Sequence, residues 1–391
     1  MIRRKISAVL KESASHFPVV TLLGPRQSGK TTLVKALFGD HEYINFEEPQ
    51  TRSLFAEDAK ALLKNGREKF IIDEAQRVPE VLSWIQVFAD QQDEPGQFIL
   101  TGSNQPELGQ AISQSLAGRT SIHYLLPLSM EELAGANTTL RRDRLLVDGF
   151  LPRLYDAGTK PGELYSAYLL TYVERDVRRL INVKDLAKFE TFLQLLAGRA
   201  GQLVNLNSLA GDVGVSSTTL GGWLSALEAS FVVVRLHPYH RNLGKRLIKT
   251  PKLYFTEPGL LSWLLQIETP NQVARDPLLG KVFENMVVVE ALKAAYNRGK
   301  PPQLSFYRDK SGLEVDLIRE EQRRPLALEI KAGTTFISEM LSALRRFRAL
   351  HGDLAGAGLL YGGEEPMEID GVAVAPFPGT AQLLFGNEEQ S

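Results

Sequence analysis

The stretch GPRQSGKT, Gly24 to Thr31, constrains this chain more than any other feature. It fits G-x-x-x-x-G-K-[ST], and its flanks fit as well. An apolar run, Val19 to Leu23, enters it, and a helical pattern carried by Leu33, Val34 and Leu37 leaves it. Strand, glycine loop and helix in that order form a phosphate cradle. Gly24 and Gly29 let backbone amides curl around phosphate oxygens at the positive end of a helix. Lys30 reaches the β- and γ-phosphates, and Thr31 offers its hydroxyl to Mg²⁺. Pro25, Arg26, Gln27, Ser28 and Thr32 complete the loop. ATP with Mg²⁺ is the expected ligand.

A second apolar strand, KFIIDEAQ, ends in two carboxylates. Asp73 is expected to hold the magnesium, and Glu74 to orient and deprotonate an attacking water. The plain alternative is a solvated acidic strand end. A third strand, QFILTGSN, ends in Ser103 and Asn104. Asn104 either senses the γ-phosphate and holds the water, or is a strand-end turn residue. A P-loop kinase or signalling switch is a rival, but a base beside the magnesium carboxylate favours water as nucleophile.

This order of Walker A, Asp-Glu Walker B and polar strand end resembles the AAA+ ATPases over roughly residues 1–135. DEAQRVPEVLSW, TGSNQ and LAGRTSIHYLLPLSMEEL resemble the bacterial and archaeal ATPases that carry a DUF4143 region behind an AAA module. The resemblance implies that Arg119 is an arginine finger for a neighbouring subunit's γ-phosphate, and that the chain forms a homo-oligomer. Its alternative role is a surface or core-pairing arginine.

Behind this module, GFLPRLYDAG has a loop-like start, and YSAYLLTYVERDVRRLINV then reads as a long amphipathic helix. SLAGDVGVSSTTL has the rhythm of a helix-turn-helix, with Ser216 as N-cap and Leu220, Trp223, Leu224 and Leu227 facing inward. FVVVRL would begin a wing. The second helix has no Lys or Arg from Ser216 to Ser230 and carries Gly221 and Gly222 in its interior. Base reading in a major groove is therefore not expected. The cations follow it instead: Arg235, Arg241, Lys245, Arg246, Lys249 and Lys252, with Tyr239 among them. They suit a DNA backbone read without sequence. The alternative is a basic hairpin packed on an acidic neighbour. KLYF and EPGLLSWLL, a strand and a short helix from Pro258, resemble the joint of DUF4143 regions.

In the last third, LLGKVFENMVVVEALKAAYN reads as a helix with Phe283, Val287, Ala291 and Ala295 on one stripe. Strands LSFYRDK, SGLEVDLIR and PLALEIKAG follow, then the helix SEMLSALRRFRALHG and the strands GLLYGG and VAVAPF. This order resembles the PD-(D/E)XK nuclease fold. Asp316 stands for its strand acid, Glu329-Ile330-Lys331 for its E-x-K, and Glu284 for the optional acid of the first helix. Asp316, Glu329 and Glu284 would chelate Mg²⁺ or Mn²⁺ through hard oxygens, and the metal would activate a water on a phosphodiester. Lys331 would orient that water or neutralise the developing charge. The alternative is a salt-bridged strand pair.

Composition limits the partners. Net charge is −1, so a nucleic-acid surface has to be a local patch. The absence of cysteine excludes disulfides and thiolate chemistry and fits a reducing cytoplasm. No apolar run is long enough to span a membrane. The chain is thus expected to be α/β: an AAA+ P-loop NTPase domain (1–135), a helical connector and winged-helix domain with a basic hairpin (136–268), and a PD-(D/E)XK nuclease-like domain (269–391). The leading expectation is an ATPase that acts on DNA and cuts it. Its rival is an ATP-driven switch whose nuclease-like domain only docks DNA or a protein.

Overall fold

The computed structural model describes residues 2–66, 68–92, 94–103, 109, 112, 114–173, 186–239 and 250–386. Two compact units divide the chain. One is Met1–Leu128 with Ala229–Phe231 and Tyr296–Lys300; the other is Ser129–Glu228, Val232–Ala295 and Pro301–Ser391.

In the first unit, β1 (Val19–Leu23), β2 (Glu42–Asn45), β3 (Phe70–Asp73), β4 (Phe98–Gly102) and β5 (Thr120–Tyr124) form one sheet in the order β2-β3-β4-β1-β5. Every pairing is parallel. Parallel sheets are covered on both faces, so their strands are apolar throughout rather than alternating. Alternate residues of β1 enter opposite cores accordingly. Val19 and Leu23 pack with Ile85 and Phe88, while Val20 and Leu22 pack with Ile6, Leu10, Leu33 and Val34. The N-terminal helix Ser7–His16 buries Leu10, while Ile6 caps it and Ile2 precedes it. With β4 between β1 and β3, the glycine loop, the Asp73 strand end and the Thr101–Ser103 strand end lie along one edge of the sheet.

The second unit starts with the capping box of Met130–Gly135, in which Ser129 and Glu132 satisfy each other's backbone amides. GFLPRLYDAG, whose start reads as a loop, continues into a short helix, Pro152–Asp156, with proline in its first turn. The expected long helix is α-helical over Pro161–Tyr168 and π-helical over Leu169–Val173. Its charged half, Glu174 to Arg179, lies outside the described residues. The helix-turn-helix is present. Leu206–Val213 ends at Gly214, whose φ of 72° is left-handed, and Ser217–Ala229 buries Leu220, Trp223, Leu224 and Leu227. Ser216 accepts the Thr219 amide at 3.1 Å as the expected N-cap. β6 (Val233–Leu236) and β7 (Lys252–Phe255) then pair antiparallel.

β8 (Leu304–Arg308), β9 (Glu314–Glu321), β10 (Arg324–Lys331), β11 (Gly356–Tyr361), β12 (Met367–Ile369) and β13 (Val372–Pro376) make a second sheet, in the order β12-β13-β11-β10-β9-β8. β9 pairs antiparallel with both β8 and β10, and β11 joins β10 in parallel. That parallel step requires a crossover, supplied by the helix Ser342–His351, whose Leu344 and Phe347 pack on Ala327 and Ile318. The Leu279–Tyr296 helix precedes the sheet. It is buried from Val282 to Ala295, Glu284, Asn285, Glu290 and Lys293 included. A single apolar stripe was expected; the helix is instead enclosed on every side, and its charges are paired rather than solvated. It carries contacts to β7 on one side and to Phe377 on another. For that reason the segments expected as domains 136–268 and 269–391 share one compact unit.

Candidate nucleotide site and acidic centre

The glycine loop is closed by its own side chains. Lys30 donates its ammonium to the carbonyls of Gly24 and Pro25, at 2.9 and 2.8 Å, and Ser28 donates to Pro25 at 2.9 Å. Arg4 braces the loop from outside, donating to the Ser28 carbonyl at 2.6 Å and the Leu126 carbonyl at 2.7 Å. Gly29 has φ 91°, a left-handed conformation that suits glycine. Gly24 is required by space, since a Cβ there would lie 2.2 Å from the Leu125 carbonyl oxygen. Pro25 and Ser28 are buried, Arg26 is half-buried, and Gln27 and Thr32 are exposed. Burial pulls the Lys30 ammonium down to about 8, with Glu74 and Asp73 holding it up in part.

Thr31 and Asp73 meet. The Thr31 hydroxyl donates to Asp73 Oδ2 at 2.9 Å. Tyr43 donates to the same oxygen at 2.7 Å, and Thr101 donates to Oδ1. A hydroxyl and a buried carboxylate side by side are hard oxygen donors of the kind Mg²⁺ takes beside phosphate oxygens. The residues fit that ion. Glu74 has φ 56°, left-handed backbone for a non-glycine residue. Gln76 donates to Glu74 and, at 2.8 Å, to the Ser103 hydroxyl, which ties the second carboxylate to the end of β4. Tyr43, Thr101 and Gln76 were not singled out from sequence. Only strand order places β2 and β4 on either side of β3.

Other expected residues lie elsewhere. Asn104 is outside the described residues. Arg119 precedes β5 and forms a forked pair with Asp90, donating to Oδ2 at 2.9 Å through one guanidinium nitrogen. Of the basic hairpin, Arg241, Lys245, Arg246 and Lys249 are outside the described residues, and Arg235 pairs with Glu228.

Lys252 requires a correction. It is 1% exposed, so it presents no charge to a phosphate backbone. Its ammonium lies 2.5 Å from Glu314, 2.8 Å from Glu284 and 3.9 Å from Asp316. Burial alone would pull this lysine down; the carboxylates of Glu284, Asp316 and Glu314 outweigh it and raise it. The hairpin strand β7 is thus packed on an acidic neighbour.

Asp316, Glu329 and Lys331 are brought together as expected. Lys331 lies 2.5 Å from Glu329 Oε2 and 3.5 Å from Asp316 Oδ2, and the Ile330 amide donates to that same Asp316 oxygen at 2.9 Å. Burial first, and the Asp316 charge second, push the Glu329 carboxyl up to about 8 against the pull of Lys331. Glu329 Oε1 is buried without a hydrogen-bond partner. Glu284 differs from its expected role as a metal ligand. Its Oε1 accepts from Lys252 and from the Tyr254 hydroxyl, both at 2.8 Å, and its Oε2 pairs with Lys281 at 2.9 Å. Among the described residues, no three His, Cys, Asp or Glu side chains converge as a metal's ligands would. The reason is local: ammonium groups stand between the carboxylates. As arranged, this centre does not fit a divalent ion. Glu314 was missed, although it lies two residues before Asp316 and shares its strand face.

No helix among the described residues is long and apolar enough to cross a membrane. Three family models match the chain: an AAA domain over residues 16–134, the domain of unknown function DUF8612 over 140–271, and DUF4143 over 279–379. Uncharacterized proteins of Mycobacterium tuberculosis and Mycobacterium bovis are each 32% identical over 393 residues, across 99% of this chain and 86% of theirs. Among solved structures, a Walker-type ATPase of Pyrococcus abyssi is 18% identical, over 68% of this chain and 96% of that one, with a TM-score of 0.44.

Proposed function

We propose an ATP-driven switch as the function of this chain, which belongs to the family of AAA-domain proteins with a C-terminal DUF4143 region. It carries a P-loop ATPase domain of the AAA type. The observation behind hydrolysis is the 2.9 Å bond between Thr31 and Asp73, with Lys30 in the loop and Glu74 next in sequence.

In this reading, loop amides from Gly24 to Thr31 bind the phosphates, and Lys30 contacts the β- and γ-oxygens. Thr31 and Asp73 would hold Mg²⁺, which neutralises charge on the phosphates. Glu74 orients the attacking water and takes its proton. Gln76 fixes Glu74 relative to Ser103, so the base and the strand that reads the γ-phosphate move together. Asn104 is proposed at the water. Arg119 is proposed to act across a subunit boundary in a homo-oligomer, exchanging Asp90 for phosphate. DNA is the proposed partner, held along its backbone by Arg241, Lys245, Arg246 and Lys249.

For the C-terminal centre, docking is the better-supported reading, because Lys252 and Lys331 already neutralise its carboxylates. DNA cleavage is the second reading, favoured by the meeting of Asp316, Glu329 and Lys331. One experiment separates them. ATP hydrolysis and cleavage of linear and single-stranded DNA are measured with Mg²⁺ or Mn²⁺, for the wild type, Glu74→Gln and Lys331→Ala. Hydrolysis lost in Glu74→Gln, with no DNA cut by any form, supports the switch. Cleavage that disappears in Lys331→Ala supports the nuclease.

A further inference from the structure

We infer that the cation of the C-terminal acidic centre is the ammonium of Lys252, and that this centre excludes a divalent metal in the fold described here. The inference rests on the docking reading above and deepens it, by naming what fills the centre instead of a metal.

Lys252 reaches the middle of the cluster with almost no exposure, and it touches carboxylates from two elements: Glu284 of the Leu279–Tyr296 helix, and Glu314 and Asp316 of β9. A buried ammonium is stable only when paired. Here each carboxylate has at least one cationic neighbour, although Glu329 Oε1 is left without a hydrogen-bond partner. Glu284, Glu314, Asp316 and Glu329 face Lys252, Lys281, Arg308 and Lys331, each in an ion pair. A dication would have to displace at least one of these cations to reach the carboxylates. A Mg²⁺ or Mn²⁺ ion needs oxygens at about 2.0–2.1 Å around one point, and most oxygens it would use already accept from lysines, Tyr254 or the Ile330 amide.

Lys252 is anchored on a strand that is itself held in place. Its strand is clasped at several places. Lys252 pairs with Leu236 across the hairpin, and the Tyr254 hydroxyl donates to Glu284. Asn285 holds both backbone groups of Phe255, accepting from its amide at 2.7 Å and donating to its carbonyl at 2.8 Å. These contacts hold β7 against that helix and keep the root of the Lys252 side chain beside Glu284. The lysine therefore does structural work that a metal would otherwise do, tying the winged-helix hairpin to the sheet that carries Asp316 and Glu329.

The test titrates the nucleotide-free full chain with Mn²⁺ and reads the free ion by its paramagnetic resonance, with circular dichroism as the check on folding. The forms are wild type, Asp316→Asn, Lys252→Met, and Lys252→Met with Asp316→Asn. The expected result is that wild type captures no Mn²⁺ through Asp316 up to about 1 mM, the weak end of protein sites for such ions. Lys252→Met should bind at least ten-fold more tightly, and the added Asp316→Asn should abolish that gain. Wild-type binding that disappears in Asp316→Asn overturns the inference. So does a folded Lys252→Met that binds no better than wild type. If Lys252→Met does not fold, the comparison of wild type with Asp316→Asn decides alone. DNA cleavage by the wild type would overturn the docking reading itself, whereas Mn²⁺ capture without cleavage overturns only the internal cation.

Discussion

Thr31 and Asp73, 42 positions apart, share a hydrogen bond of 2.9 Å at the end of the nucleotide-site sheet. The bond joins the phosphate loop to the strand that carries the two carboxylates, and it exists because β4 spaces β1 from β3.

The chemistry should divide cleanly between the neighbours Asp73 and Glu74. Glu74→Gln keeps the shape but cannot take a proton, so hydrolysis should fall by about 10²- to 10⁴-fold. ATP affinity should stay within about two-fold, since the loop and Thr31 are untouched. Steady-state kinetics beside equilibrium nucleotide binding checks this. Equal losses in both would give Glu74 a binding role instead.

Gly24→Ala should damage the loop through space alone. The added Cβ would meet the Leu125 carbonyl at 2.2 Å, and backbone cannot rotate aside as a side chain can. Overpacking of this kind costs about 1–3 kcal/mol. Melting temperature and ATP affinity should both drop. Unchanged affinity would show that the loop tolerates the shift.

Glu284→Ala should be among the most damaging single changes in the second unit. It strips Lys252 and Lys281 of a carboxylate and leaves the Tyr254 hydroxyl without its acceptor. Breaking one side of a buried pair costs about 3–5 kcal/mol. Urea unfolding of Glu284→Ala beside Glu284→Gln checks it, with the milder loss in Gln. A negligible change in both would mean that the cluster is solvated.

Glu290 supplies a pH dependence. Its carboxyl is pushed up to about 7, chiefly by burial, with Lys293 and the Met130 amide opposing and Glu132 and Glu131 adding to the rise. Below its ordinary value of 4.5, folded and unfolded chains both hold the proton, so the group is neutral to stability. From 4.5 to about 7 the unfolded chain loses its proton first, so stability falls as pH rises. Above 7 the loss is complete, at about 3 kcal/mol. Glu290→Gln never ionises. Its melting temperature relative to wild type should therefore rise between pH 5 and pH 8, and a flat difference would contradict the shift.

Much of this fold is local, and the sequence carries it. The P-loop, the Ser216 cap, the inward face of Leu220 to Leu227 and the strands EVDLI and PLALEIK are legible because spacing and turn chemistry act over a few residues. Asp316, Glu329 and Lys331 could be grouped for the same reason, by period two and a short hairpin. The helix at Leu279–Tyr296 was legible as a helix but not as an enclosed one, since burial on all sides depends on elements far along the chain.

The fate of each charge was decided elsewhere. From sequence, Lys252 belongs with five other cations on one stretch, and Glu284 with two acids of a familiar motif. Folding takes Lys252 away from its basic neighbours and sets it against Glu284, Glu314 and Asp316. Tyr43 and Thr101 reach Asp73 only because β2 and β4 flank β3. Sequence determines which groups can carry charge and chemistry, because that is a property of the side chain and its near neighbours. Which charges meet is set by strand order and helix burial, because a Coulomb partner within a few ångströms can come from anywhere in the chain.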